Sequence, residues 1–320
     1  MQTFSVPSNP HHPLSILKMK LSTQKREDIT IPLPSHVDFI TSPSNPFVKH
    51  CVKLRRNSSY RHSHGSAILF GSTPIREITK FHDGIKESNI IHCLLLLEGA
   101  KIPKELNGSS VRIVRVSSAV MSKLSGVQSV DSIQQVAVLK IPTSFSQLND
   151  NTNFRTWFPS PHRILVLDGI QDPGNLGTLL RSSVAFGWDG VFLLPGCCDP
   201  FNDKAVRASR GASFQVPIVC GDWTQLETLK NGFKMKILAA HPERKDASSS
   251  SLSQKLADSL LEEHICLVLG SEGQGLSEQS RIGCELISIP MAGEYESLNV
   301  SVAGGIFLFM LQQPKNNLFI

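Results

Sequence analysis

The chain has 320 residues, 40% hydrophobic and 18% charged, with a formal net charge of +5. That length allows two domains with real cores, and no apolar run reaches the roughly 20 residues of a membrane-spanning helix. The charge permits a polyanionic partner without demanding one. Seven cysteines, at 51, 93, 197, 198, 220, 266 and 284, form no CxxC pair and no zinc-ligand spacing. They read as free or buried thiols of a reducing compartment, and no metal is expected.

Residues 1–37 hold Ser, Pro and His with Lys18, Lys20, Lys25 and Arg26, and no acid before Glu27. A basic, acid-poor, Ser-containing start of this kind predicts a disordered organelle transit peptide. The Ser/Pro content and few arginines favour a chloroplast, with a mitochondrion as the alternative. Residues 38–142 read as a smaller α/β domain. Strands are expected at 66–70, 90–97, 111–116 and 134–141, and helices at 46–55 and 118–124. Asn45 suits the cap of the first helix and Pro46 its first turn. Lys49, Lys53, Arg55, Arg56 and Arg61 cluster there, with Tyr60 and three histidines nearby. Lys49, Lys53, Arg55 and Arg61 are candidate phosphate contacts; a solvated helix face is the plainer reading of the same run. Residues 143–162 are polar, lack periodicity and read as a linker.

From 163 to 320 the alternation is regular. Strands are expected at 164–167, 191–194, 215–219, 235–240, 265–269 and 286–289. Helices are expected at 175–186, 202–210, 223–231, 252–262 and 299–310. The strands are apolar on both sides, which predicts a parallel sheet covered on both faces. Pattern alone gives an open, doubly wound α/β sheet.

Three constellations in this region carry chemistry. The first follows a strand ending at Asp168: after a Gly/Pro turn, Asn175 can cap a helix that carries Arg181. The two are six residues apart and so do not stack as an i,i+4 pair; a plain cap and a surface ion pair account for either alone. The second is the loop Gly270-Ser271-Glu272-Gly273-Gln274-Gly275. It is not GxGxxG, so dinucleotide binding gains little support. Glu272 can accept from an amine or hydroxyl, or simply face solvent. The third is Ile289-Pro290-Met291 followed by Ser297, Leu298 and Asn299. Ser297 is expected to cap the last helix with Asn299 in its first turn, where free amides suit a polar or anionic group. Glycine loops beyond strand carboxyl ends make the cleft between 270–275 and 291–298 the candidate active site. His241, before Pro242, reads as a loop histidine.

The spacing of NxGxxxR (Asn175, Gly177, Arg181), GxExxG (Gly270, Glu272, Gly275) and IPM…SLNVSxA (Ile289 to Met291, then Ser297 to Ala303) resembles the SpoU, or TrmH-like, branch of the SPOUT RNA methyltransferases. The likeness runs from about Arg163 to the C-terminus. KAVRASRGA at 204–212 resembles a further family element. Residues 42–141 resemble the family's substrate-binding module, with Phe70-Gly71 where that module carries Glu-Gly.

The resemblance implies a parallel-sheet domain tied in a deep trefoil knot, preceded by an RNA-binding α/β domain. It implies S-adenosylmethionine bound in bent form and transfer of its methyl group to a ribose 2′-hydroxyl of rRNA or tRNA. It also implies a homodimer joined through the knot, with no membrane partner. Leu269, Gly270, Gly275, Ile289, Met291 and Leu298 would line the cofactor pocket. Arg181 would be the catalytic arginine; Asn175, Glu272, Ser297 and Asn299 would order the ribose, the arginine or the cofactor. Lys204, Arg207 and Arg210 would meet RNA phosphates. Arginine stays protonated in nearly all settings, so Arg181 serves as a base only if held neutral. The alternative is electrostatic stabilisation of the developing alkoxide. The separate N-terminal module favours organellar large-subunit rRNA over tRNA. A catalytically silent rRNA-binding assembly factor is the reading from another class.

Overall fold

The computed structural model describes residues 38–84, 90–106, 111–126, 133–147, 154–242, 249–292 and 297–313. The expected transit segment lies outside the described residues. Among those described, no helix is long and apolar enough to cross a membrane.

The first unit is a five-stranded mixed sheet. Its strands are β1 (Phe39–Ile40), β2 (Ser66–Phe70), β3 (Ile91–Leu97), β4 (Arg112–Val116) and β5 (Gln135–Lys140), in the order β1-β4-β3-β5-β2. The antiparallel pairs are β5 with β3 and with β2. Four helices cover it: α1 (Pro46–Arg56), α2 (Ser58–His64), α3 (Ser72–Gly84) and α4 (Ser118–Ser125). The Asn45 side chain accepts the Phe47 N–H and Pro46 opens α1, as its sequence predicts. Phe47, Val48, Cys51 and Leu54 then recur at helical spacing and are buried. The helices α2 and α3 are additions to the expected set.

The second unit is an eight-stranded sheet in which every pairing is parallel. Its strands are β6 (Phe145–Gln147), β7 (Arg163–Asp168), β8 (Gly190–Leu193), β9 (Ile218–Cys220), β10 (Lys236–Ala240), β11 (Ser250–Ser251), β12 (Ile265–Gly270) and β13 (Glu285–Ser288). They lie in the order β11-β13-β10-β12-β7-β8-β9-β6. The helices are α5 (Pro173–Ala185), α6 (Asp203–Ser209), α7 (Trp223–Phe233), α8 (Gln254–Ser259), α9 (Glu278–Gly283) and α10 (Val300–Met310). Along β7, Leu165 and Leu167 enter the core on the α5 and α10 side, while Ile164 and Val166 enter the core that holds Trp157 and Phe158. That two-sided burial is why these strands read as continuous apolar runs.

The expected linker is corrected. Residues 145–147 form the edge strand β6, paired with β9, and Trp157 and Phe158 are buried. The Phe158 ring occupies the space a Cβ on Gly190 would need, 2.1 Å away.

The two units share one core. Leu69, Ile75 and Ile78 of the first pack in the same cluster as Phe201, Val206 and Phe214 of the second. Arg61, only 2% exposed, clamps the seam. Its Nε and Nη2 donate to Asp199 Oδ2 at 2.9 and 2.6 Å, and its Nη1 donates to the carbonyls of Leu54 and Arg55. Burial alone would raise the Asp199 carboxyl. Hydrogen bonds from His62 and Ser58 and the Arg61 charge instead hold it well below the usual carboxylate range. Arg55 is buried too, its Nη1 donating to the Leu124 carbonyl at 2.6 Å at the end of α4. Gly126, at φ +70, leaves room for that guanidinium where any Cβ would collide with it. Arg55 and Arg61 are therefore structural, and their expected roles as phosphate contacts are withdrawn.

Removing one partner of a buried ion pair costs about 3–5 kcal/mol. Arg61→Ala should lower stability by that order in chemical denaturation and expose the seam to limited proteolysis. His50, buried with Nδ1 2.9 Å from the Tyr60 hydroxyl, is held at about 4 against an ordinary 6.5, first by burial and then by His64 and Lys53. The unfolded chain takes up that proton first. Stability is thus fully present above pH 6.5 and falls as the pH drops toward 4. Urea titrations at pH 7 and pH 5 should show a smaller acid loss for His50→Gln than for the parent.

Candidate active site

Three segments far apart in sequence meet at the carboxyl ends of β7, β12 and β13. The first begins where Asp168 ends β7. Asp172 caps α5 by accepting the Asn175 N–H at 2.8 Å, and Pro173 takes the first turn. Asn175 is therefore not the cap that was expected. Its side chain is free to donate from Nδ2 to Glu272 Oε1 at 2.6 Å.

Glu272 stands in the loop after β12. There Ser271 and Gly275 exchange two backbone hydrogen bonds of 2.9 Å, and Gly275 adopts φ +67. The loop folds so tightly that a Cβ on Gly270 would lie 2.4 Å from Gly275. Asp168, 8% exposed, anchors the far end by accepting the Ser277 N–H at 2.9 Å and the Ser280 hydroxyl.

The third segment opens α10. Asn299 is the cap: its Oδ1 accepts the Ser301 N–H at 2.9 Å and the Ser301 hydroxyl at 2.7 Å. Ser297 lies outside the helix, so the cap falls two residues later than expected. Asn299 Nδ2 donates to Asn175 Oδ1 at 3.2 Å. The result is one chain of polar side chains, Asn299–Asn175–Glu272.

This chain stands beside a cavity of about 520 Å³. Leu269, Gly270, Gly275, Ile289, Met291 and Leu298 all line it, with Glu272, Ser297 and Asn299. Every expected cofactor-pocket residue is in that wall. Leu269 and Phe307 are buried apolar lining, whereas Glu272, Ser297 and Asn299 are exposed. Two titratable members of the wall were not assigned to it from the sequence. His241, read as a loop residue, lines the cavity with its N–H bonded to the Ile287 carbonyl. Arg281 lines it too, and its signal was the unrecognised helix α9, capped by Ser277.

Arg181 is absent from the wall. It is exposed on α5, with no hydrogen bond or ion pair among the described residues. The other expected RNA contacts divide. Lys49, Lys53 and Lys204 are exposed, with the Lys53 ammonium 5.5 Å from the Tyr60 ring centre. Arg207 pairs with Asp203 and lies over the Phe70 ring, and Arg210 reaches across the seam to Glu77. Among the described residues no His, Cys, Asp and Glu group could hold a metal ion.

A family model described as the SpoU rRNA Methylase family matches residues 162–309. An uncharacterized tRNA/rRNA methyltransferase of Synechocystis sp. is 29% identical over 296 residues, 89% of this chain and 97% of that protein. The 23S rRNA (guanosine(2553)-2′-O)-methyltransferase RlmP of Bacillus subtilis is 28% identical over 85% of this chain and 98% of its own length. The AdoMet-bound rRNA methyltransferase from Sinorhizobium meliloti aligns with a TM-score of 0.68 at 23% identity, over 89% of this chain and 99% of that one. At that identity the likeness is one of fold.

The polar chain depends on α10 lying close to α5. A Cβ on Gly304 would be 2.3 Å from Leu179, whereas one on Gly305 meets nothing. Overpacking of this kind costs about 1–3 kcal/mol, while Gly→Ala in a helix gains up to about 1 kcal/mol. Thermal melts should therefore show Gly304→Ala destabilised and Gly305→Ala neutral or stabilised.

Proposed function

We propose that residues 162–309, which match the SpoU rRNA Methylase family model, are a domain of that family, and that the chain is an S-adenosylmethionine-dependent RNA methyltransferase acting on a ribose 2′-hydroxyl. The observation that carries the reading is the convergence of Asn175, Glu272 and Asn299 beside one glycine-walled cavity. Its volume of about 520 Å³ falls within the range of small-ligand sites, about 300–1,000 Å³. Its mixture of apolar and polar lining suits a ligand that is part nucleoside and part amino acid. When bound, S-adenosylmethionine supplies an electrophilic methyl group carried on a sulfonium.

The chain's own groups would do the rest. Gly270 and Gly275 let backbone come close to the ligand, and Leu269, Ile289, Met291 and Leu298 enclose it. Asn175 holds Glu272 by Oε1, which leaves Oε2 to accept from a ligand hydroxyl or ammonium. Ser297 and Asn299 add polar groups at the same rim. Arg181 acts from outside the wall, on the RNA side. It stabilises charge developing on the ribose oxygen, and the hydroxyl proton passes to a neighbouring RNA phosphate or to water. Alignment of the two reacting atoms on rigid strand-end loops supplies much of the acceleration.

Organellar large-subunit rRNA is the proposed substrate. The likeness to a 23S rRNA enzyme over 98% of its length takes in both units of this chain, and the basic start supports import into a chloroplast, or alternatively a mitochondrion. The active form proposed is a homodimer with the α10 region threaded as in the knotted family. Supporting it, Val302, Ile306 and Phe309 form an exposed apolar stripe on α10, 52%, 37% and 55% exposed.

Mapping of 2′-O-methyl sites across total RNA, with and without the protein, should reveal a site in organellar large-subunit rRNA that disappears in its absence. An unchanged ribose-methylation map would falsify the reading. Arg181→Ala should slow methyl transfer by about 10²–10³-fold, the effect of losing one charge-stabilising donor. Its affinity for S-adenosylmethionine should stay at the parent value, because Arg181 does not line the cavity; weakened cofactor binding would contradict its assigned place.

A further inference from the structure

A second cavity, of about 410 Å³, opens beyond the carboxyl ends of β8 and β9. Both units build it. His62 comes from α2, Phe145 and Gln147 from β6, Asp199 from the turn after β8, and Gly221 from the turn after β9. We infer that this cavity binds one unstacked nucleobase of the RNA, from a nucleotide flanking the methylated one. The inference rests on the RNA-methyltransferase reading and deepens it.

Position is the first argument. A Cβ on Gly196, in the cavity wall, would be 3.3 Å from the Gly169 Cα. A Cβ on Gly169 would be 3.7 Å from the Ser271 side chain of the active-site loop. A single turn of backbone after β7 therefore separates the two cavities. A strand with its target ribose at the first has neighbouring nucleotides within reach of the second.

Chemistry is the second. The His62 ring stacks on Phe145 at 5.3 Å and 24°, and Phe145 is braced edge-on by Phe201 at 5.0 Å. Proteins read unstacked RNA bases on such ring faces and along their hydrogen-bonding edges. The Gln147 amide makes no hydrogen bond among the described residues. It can both donate and accept, as a base edge requires. The charge is already balanced, since Asp199 is paired with Arg61. The thiols of Cys197, Cys198 and Cys220 are pushed up to about 11, 12 and 12, by burial first, and stay neutral. A lining with no Lys or Arg among the described residues suits an uncharged ring better than a phosphate.

Rigidity is the third. The Arg61–Asp199 clamp and the shared core fix both walls before RNA arrives. Little ordering is therefore needed on binding, which favours selection among bases at this position.

The test uses the full-length protein carrying Gln147→p-azidophenylalanine, with total RNA from cells lacking the protein as the probe. Irradiation should attach residue 147 to a nucleotide within a few positions of the methylated ribose. The same group at Glu227, on the solvent face of α7, should not attach there. In steady-state methylation, Gln147→Ala should raise KM for RNA about tenfold, the effect of losing one hydrogen bond to a base edge, with kcat and S-adenosylmethionine affinity unchanged. If the azide at 147 crosslinks no better than at 227 while methylation proceeds, or if KM is unmoved, the base pocket is overturned and the enzyme reading stands. If the RNA is neither bound nor methylated, both fall.

Discussion

A Cβ on Gly304 would sit 2.3 Å from Leu179 and 2.7 Å from Leu269, so α10 lies on α5 only because bare backbone faces it at that point. The start of α10 then falls beside the start of α5, and Asn299 can reach Asn175. Leu269 belongs to the same contact and leads directly into the loop that presents Glu272. One close approach thus sets the distances among three functional side chains. The other end of α10 is held as firmly. Arg163, 1% exposed, donates from Nε to the Leu311 carbonyl and from Nη2 to the Leu260 carbonyl, both at 2.8 Å. Trp188 Nε1 donates to the Leu308 carbonyl at 3.1 Å. A buried guanidinium is stable here because backbone carbonyls satisfy it.

The same device couples the two units. Gly177 lets α5 approach α6, with the Ala205 carbonyl 2.4 Å from where a Cβ would be. The opposite side of α6 places Val206 in the core of the first unit. The exposed lysines of α1 and the candidate site therefore ride on one packed body, and the spacing between them does not depend on a hinge. An RNA that touches both has to match that spacing, so its shape would be part of recognition.

What was legible in the sequence, and what was not, follows from how local each signal is. Strands buried on both faces show themselves as apolar runs, and α5, α6, α7 and α10 by their periodicity. The two loops of the first cavity were readable because glycines and small polar residues follow strand ends there; Leu269, Ile289, Met291 and Leu298 as its lining came from the family resemblance. The arginines were not readable. Arg55 and Arg61 have the composition and spacing of phosphate contacts, yet each is neutralised or capped by residues 69 and 138 positions away. No window along the chain contains those partners. The caps were a nearer miss. Pro173 in the first turn requires its cap at Asp172, and Ser297 and Asn299 are both capping types, so only the geometry of α10 separates them. The helix α3 repeats Ile75 and Ile78, but Pro74 in its first turn reads as a break when the turn before it is unknown.

The side chains gathered by α5, β12 and α10 are proposed to serve methyl transfer to a ribose oxygen. The most direct test is to incubate the full-length chain with S-adenosylmethionine labelled in its methyl group and with RNA from cells lacking the protein, then digest the RNA to nucleosides. Label should appear in a 2′-O-methylated nucleoside and be lost in Glu272→Ala. Label on a base, or no label although donor and RNA both bind, would contradict it.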